Sequence, residues 1–87
     1  MNLEVVKNIT FSKLVKASDR LREFNFRKVG GISGGYFHVD VPDERGNRIM
    51  FKMHKNDGQW KFMDEFVPNW IADLEDQFNE AIEGEIR

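Results

Sequence analysis

Apolar and polar side chains alternate with a period of two through the middle of the chain, and this pattern constrains the fold more than any other feature. The stretch "YFHVDV" places Phe37, Val39 and Val41 on one side, and "NRIMFKMH" and "QWKF" repeat the alternation. Successive side chains of an extended strand point to opposite faces, so each stretch predicts a half-buried β-strand. The stretch "NFRKV" predicts a weaker strand before them. Turn-forming residues in "PDERGN" and "KNDG" indicate antiparallel hairpins between the later strands.

Before these strands, the spacing of the apolar residues changes to that of an α-helix. From Phe11 to Phe24 they recur at steps of three and four, with lysines and arginines between them. One face of an amphipathic helix has this spacing. The sequence therefore predicts a first helix, which begins either at Thr10, as its N-cap, or near Asn2.

A second helical stripe follows the strands. Pro68 fits its first turn, and Gly84 is a suitable end. Asp64 and Glu65 near its start complement the positive end of the helix dipole. The residues of the stripe are Val67, Ile71, Leu74, Phe78, Ala81 and Ile82, with Phe66 and Trp70 at its edge as further core residues.

The predicted element order, α-β-β-β-β-α, defines the fold class. It corresponds to an α+β two-layer sandwich, in which an antiparallel meander of three to four strands carries both terminal helices on one face. A chain of 87 residues is expected to form a single domain over residues 1–87. The sequence lacks cysteine and shows neither a basic, apolar leader nor a long apolar run, so we expect a cytoplasmic protein that does not enter a membrane.

Four glycines in "GGISGG", residues 30–35, invite comparison with a phosphate-binding loop. Such a loop ends in a helix N-terminus, where free N–H groups point at the anion, but here a strand follows. The register that places Phe26 opposite Val39 also places Val29 opposite Tyr36 and leaves residues 30–35 as the connection. The sequence therefore predicts a hairpin loop, with anion binding by its backbone as the alternative.

Parity restricts the register of the later strands, because a slip of one residue would move every inward side chain to the other face. In the "PDERGN" hairpin we predict Asp40 opposite Arg48, an opposite-charge pair. In the last hairpin, with residues 55–58 as the loop, we predict Met53 opposite Trp60. The same registers place Lys52 opposite Tyr36 on one side and beside Lys61 on the other.

Both helices are expected to cover one face of the sheet, which leaves the other face open. The open face combines cations with apolar and aromatic side chains, a composition suited to a partner. We expect a non-enzymatic protein-interaction or regulatory module, with self-association included. Its candidate binding residues are Arg27, Tyr36, His38, Arg48, Met50, Lys52 and Lys61.

Binding of RNA or DNA through the same face is the alternative. The cations would contact phosphates, while Tyr36 and His38 would stack on bases. Charge along the chain opposes this interpretation. Residues 1–62 hold twelve Lys and Arg against seven Asp and Glu, but residues 63–87 hold one against eight, and the sequence pI is about 5.6.

An enzyme is a weaker alternative. The stretch "GGYFH" is similar to small mRNA-cleaving toxins, and the resemblance implies a ribonuclease with His38 as its catalytic histidine; the Gly-Ser-His of those toxins is absent. Double-stranded RNA-binding domains share the predicted topology, but their second helix starts with lysines, where this chain has acidic residues. With two histidines and no cysteine, we expect no metal site and no cofactor.

Overall fold

The computed structural model describes residues 9–30 and 35–86. Five antiparallel strands form one sheet in which each strand pairs with its neighbours along the chain, and two helices follow. This arrangement confirms the α+β class and corrects the predicted number of strands. The elements are β1 (Thr10–Ala17), β2 (Arg20–Val29), β3 (Tyr36–Pro42), β4 (Arg48–Asn56), β5 (Gln59–Phe62), α1 (Asn69–Ala72) and α2 (Glu75–Ile86).

The predicted first helix is wrong, because its residues form the β1–β2 hairpin. Ala17 lies opposite Arg20, so the connection consists of Ser18 and Asp19 alone. Both have positive φ angles, 51° and 64°. Two consecutive positive φ angles match the right-handed twist of the flanking strands in a two-residue hairpin. Thr10 is the first residue of β1, and a helix start near Asn2 lies outside the described residues.

The helical spacing arose from residues that lie on opposite faces of the hairpin. Leu14 and Leu21 are exposed and project from one face, whereas Val15 and Phe24 are buried on the other. Together with Phe11, these residues recur along the sequence at steps of three and four, which produced the helical pattern. Within β2 alone, the buried residues alternate as a strand requires.

The sheet curls around α2, since this helix contacts both edge strands, β1 and β5. We call the side of the sheet that faces α2 the inner face and the opposite side the outer face. The predicted layer of two terminal helices on one face is therefore replaced by one C-terminal helical segment held against a curled sheet. Within residues 9–30 and 35–86, no helix contacts the outer face.

The predicted second helix exists but is divided and begins later. Pro68 precedes α1 as its N-cap, and Gly84 lies within α2 instead of ending it. Asp64 does not lie in a first helical turn. Its Oδ1 accepts a hydrogen bond of 2.8 Å from the backbone N–H of Lys52, so this carboxylate binds the sheet.

Phe78 of α2 lies at the centre of the core, with 0% of its surface exposed. Four phenylalanine rings from β2, β4 and β5 surround it at centroid distances of 5.0–6.2 Å, in tilted or edge-to-face arrangements favoured by aromatic pairs. Ile71, Leu74 and Ile82 of the predicted stripe are buried as well. The prediction that Phe66 belongs to the core is wrong, because this residue is 89% exposed in the segment before α1.

The β2–β3 register is confirmed, with Phe26 opposite Val39 and Val29 opposite Tyr36. Gly30 and Gly35, which flank the connection, have φ angles of 95° and 79°. A Cβ at position 35 would lie 2.2 Å from the carbonyl oxygen of Val29, so the backbone there passes too close for any side chain. The middle of the loop, residues 31–34, lies outside the described residues.

The observed β3–β4 and β4–β5 registers each differ from the predicted register by two residues. Asp40 lies opposite Met50, and Met53 lies opposite Phe62. Turn chemistry explains both errors. The first loop spans residues 43–47 because Asp43 Oδ1 accepts two backbone N–H bonds within it, and the second contains only residues 57–58, both at positive φ. A shift of two residues leaves every side chain on its predicted face.

Replacing Phe78 with alanine is expected to lower the free energy of unfolding by about 3–5 kcal/mol, because the cavity would lie among four rings. Phe66→Ala is the matched control, and its effect is expected to stay within about 0.5 kcal/mol. Urea denaturation followed by tryptophan fluorescence measures both. Similar midpoints for the two variants would contradict the packing described for α2.

Candidate binding face

The seven predicted binding residues all lie on the outer face. Strand alternation places them there, since their neighbours Phe26, Phe37, Val39, Phe51 and Met53 are buried on the inner face. Tyr36 and His38 are half-buried, and the other five residues are exposed. The shared face follows from the structure; the binding role of these residues stays a prediction.

The register brings three basic side chains into one line across the sheet. Arg27 lies opposite His38, and His38 lies opposite Lys52. The backbone N–H of Met63 donates to the carbonyl oxygen of Lys52 at 2.8 Å, which extends the line by one exposed methionine. We call Arg27, His38 and Lys52 the basic row. It differs from the prediction, which placed His38 opposite Met50 and Lys52 opposite Tyr36.

The cations on this face differ in their partners. Within the described parts of the chain, Arg27 and Lys61 make no ion pair and no side-chain hydrogen bond. The Nζ atom of Lys52 lies over the ring of Tyr36, 5.6 Å from its centroid, a cation–π arrangement. One face of the Tyr36 ring is therefore already occupied, and among the seven candidate residues Arg27 and Lys61 are cations without an ion-pair partner in the described structure.

Arg48, by contrast, is neutralised within a polar chain that crosses four strands. Its Nη1 donates to Oδ1 of Asp40, and the same oxygen accepts a bond of 3.1 Å from Asn25 Nδ2. Ser12 Oγ donates to Asn25 Oδ1 at 2.6 Å and completes the chain on β1. The predicted Asp40–Arg48 pair thus forms, but on a diagonal. Arg48 is consequently a weaker binding candidate than Arg27 or Lys61.

The hydrogen bonds of Asp40 to Asn25 and Arg48 weaken the case for His38 as a catalytic group. A carboxylate two residues along the same strand face could orient the imidazole of His38, but the bonds that Asp40 makes go to Asn25 and Arg48. Across the strands, His38 faces Arg27 and Lys52. No carboxylate partner for a general base is therefore formed in the described part of the face.

Arg22 is a residue whose environment the sequence did not predict. Its side chain is only 8% exposed: Nε donates to the Ala17 carbonyl at 3.2 Å, and Nη2 donates to Glu44 at 3.1 Å. The guanidinium carbon lies 4.6 Å from the centroid of the Trp70 ring. These contacts connect the β1–β2 turn, the β3–β4 loop and α1 around a cleft of about 350 Å³. Treating residues 11–24 as a helix concealed the position of Arg22 beside the buried Phe24.

Within residues 9–30 and 35–86, no three His, Cys, Asp or Glu side chains are grouped so that they could hold a metal ion. The same residues include no helix of sufficient length and apolarity to cross a bilayer.

Comparisons with protein-family models, with curated proteins and with solved structures find no significant match. The shared topology that suggested double-stranded RNA-binding domains depended on a first helix, and those residues form a β-hairpin.

Arg27→Glu is expected to change the free energy of unfolding by no more than about 0.5 kcal/mol, because the side chain is exposed and forms no ion pair with the described residues. Urea denaturation measures the change. Arg48→Glu, the control, should destabilise the protein by more, because it replaces the ion-pair partner of Asp40 with a like charge. A loss of stability in Arg27→Glu as large as that in Arg48→Glu would contradict this account.

Proposed function

We propose that this protein is a non-enzymatic interaction module that binds an acidic polypeptide through the outer face of its sheet. The basic row supports the proposal. Arg27 and Lys52 lie on either side of His38, both are exposed, and neither forms an ion pair with a described residue. Carboxylates of a partner placed over this row would supply the opposite charge that the described structure does not provide.

Exposed methionines support a polypeptide as the partner. Met50 and Met63 lie on either side of Lys52, and both project from the outer face. Methionine is flexible and polarisable, and it adapts to apolar side chains of different shapes. A segment that alternates acidic with aliphatic or aromatic residues matches this combination of cations and thioethers.

The aromatic content of the face opposes nucleic acid. Sheets that bind single-stranded RNA present several exposed rings for base stacking. On the strands described, the outer face carries one Phe, Tyr or Trp ring, that of Tyr36, and Lys52 covers one side of it. The overall negative charge adds no general attraction to phosphates.

Nuclear magnetic resonance titration tests the proposal directly. The probe is a synthetic peptide in which glutamate alternates with leucine, and the control peptide carries glutamine in place of glutamate. We expect binding of the first peptide only, weakening with salt, with amide shifts centred on Arg27, His38 and Lys52. Shifts confined to other elements would overturn the proposal, as would tighter binding of a single-stranded oligouridine at the same salt concentration.

Charge reversal provides the matched comparison. Arg27→Glu combined with Lys61→Glu should weaken binding of the acidic peptide about tenfold or more, because both cations lack protein partners in the described structure. Lys13→Glu combined with Arg20→Glu makes the same change in net charge on exposed residues that do not belong to the outer face. Equal effects of the two double variants would show that net charge, not this face, governs binding.

A further inference from the structure

The two edges of the sheet differ in whether their outward backbone groups are hydrogen-bonded. At the β5 edge, a side chain of α2 bonds to them. Asn79 of α2 accepts a hydrogen bond of 2.6 Å from the backbone N–H of Trp60, and its Nδ2 donates to the Trp60 carbonyl at 2.8 Å. The indole N–H of Trp60 donates to Glu83 at 2.9 Å. One side chain thus satisfies the backbone groups that another strand would otherwise use, which protects this edge from further pairing.

No described strand or helix pairs with the β1 edge. The N–H of Lys28 donates to the carbonyl of Ile9, which fixes the phase of the antiparallel ladder: odd-numbered residues of β1 bond to β2. The even-numbered residues, from Thr10 to Lys16, therefore direct their N–H and C=O groups away from the sheet. No described residue bonds to these groups.

Two exposed leucines lie beside the β1 edge. Leu14 lies opposite Glu23 and Leu21 lies opposite Lys16, so the leucines are diagonal neighbours on the outer face. Both remain more than half exposed. Apolar side chains next to a row of unpaired backbone groups are the features that lead one strand to add to another.

We propose that β1 pairs antiparallel with β1 of a second copy, centred on Leu14. The ladder phase requires even-numbered residues to face even-numbered residues, and pairing Leu14 with Leu14 of the second copy meets this condition. It also aligns both leucines of each copy in one apolar line across the junction. A register centred on Lys13 meets the same condition but opposes two lysines, and one centred on Ser12 separates the leucines.

The resulting dimer has two-fold symmetry and one continuous ten-stranded sheet. The outer faces of both copies then form one surface, which carries two basic rows. This inference is independent of the proposed function, because the pairing edge and the basic row share no residue. Failure of either leaves the other standing.

Light scattering coupled to size exclusion is the first test. We expect the mass to rise from 10.3 kDa to twice that value with increasing concentration. Leu14→Lys should abolish the dimer, because it places two lysines opposite each other on the axis. Met50→Lys is the matched control: both side chains are 59% exposed on the outer face, and this variant should dimerise normally. A wild-type monomer at every concentration overturns the proposal, as does a dimer that Leu14→Lys leaves intact.

Cross-linking tests the register independently of any folding defect. Because the chain contains no cysteine, Leu14→Cys introduces a single thiol. Directly opposed residues have Cα atoms about 5.5 Å apart, within disulfide range, so mild oxidation with diamide should yield a covalent dimer. Thr10→Cys, on the same strand and face, should stay monomeric under oxidation, because the two thiols would lie eight strand positions apart. Cross-linking at position 10 but not at position 14 would overturn the proposed register.

Discussion

The packing of one phenylalanine from α2 against four rings of the sheet is the constraint on which the rest of the structure depends. Phe78 contacts rings from β2, β4 and β5, and the helix that carries it reaches both edge strands. A flat sheet could not surround one helix in this way, so the strands curl. No described helix covers the opposite face, and that face carries the residues proposed to bind a partner.

Side-chain alternation predicted the faces of β3 to β5 and of the end of β2 correctly, because a period of two depends only on which residues are apolar. Register was harder to predict because loops determine it. Asp43 organises a five-residue loop through its own carboxylate, and Asp57 accepts a positive φ that shortens the next connection. The first hairpin was missed because Leu14 and Leu21 are apolar but exposed, so hydrophobicity indicated the wrong face and, with it, the wrong period.

The sequence predicted that the candidate residues share one face of the sheet, but it did not predict their arrangement on that face. Face assignment follows from parity, so Arg27, His38 and Lys52 were grouped correctly from the sequence alone. Their alignment into one row required the true register. Contacts that depend on distant parts of the chain, such as Asn79 with Trp60 and Arg22 with Trp70, leave no local pattern and could not be predicted.

The position of α2 in the chain has a consequence for how the protein is made. Every strand pairs with a strand adjacent in sequence, so the sheet forms from local contacts, which favour rapid assembly. Phe78, however, follows all five strands. During synthesis the aromatic inner face therefore emerges complete but uncovered, and it stays so until α2 leaves the ribosome. Exposed apolar surface of this kind promotes aggregation, which chaperones counter.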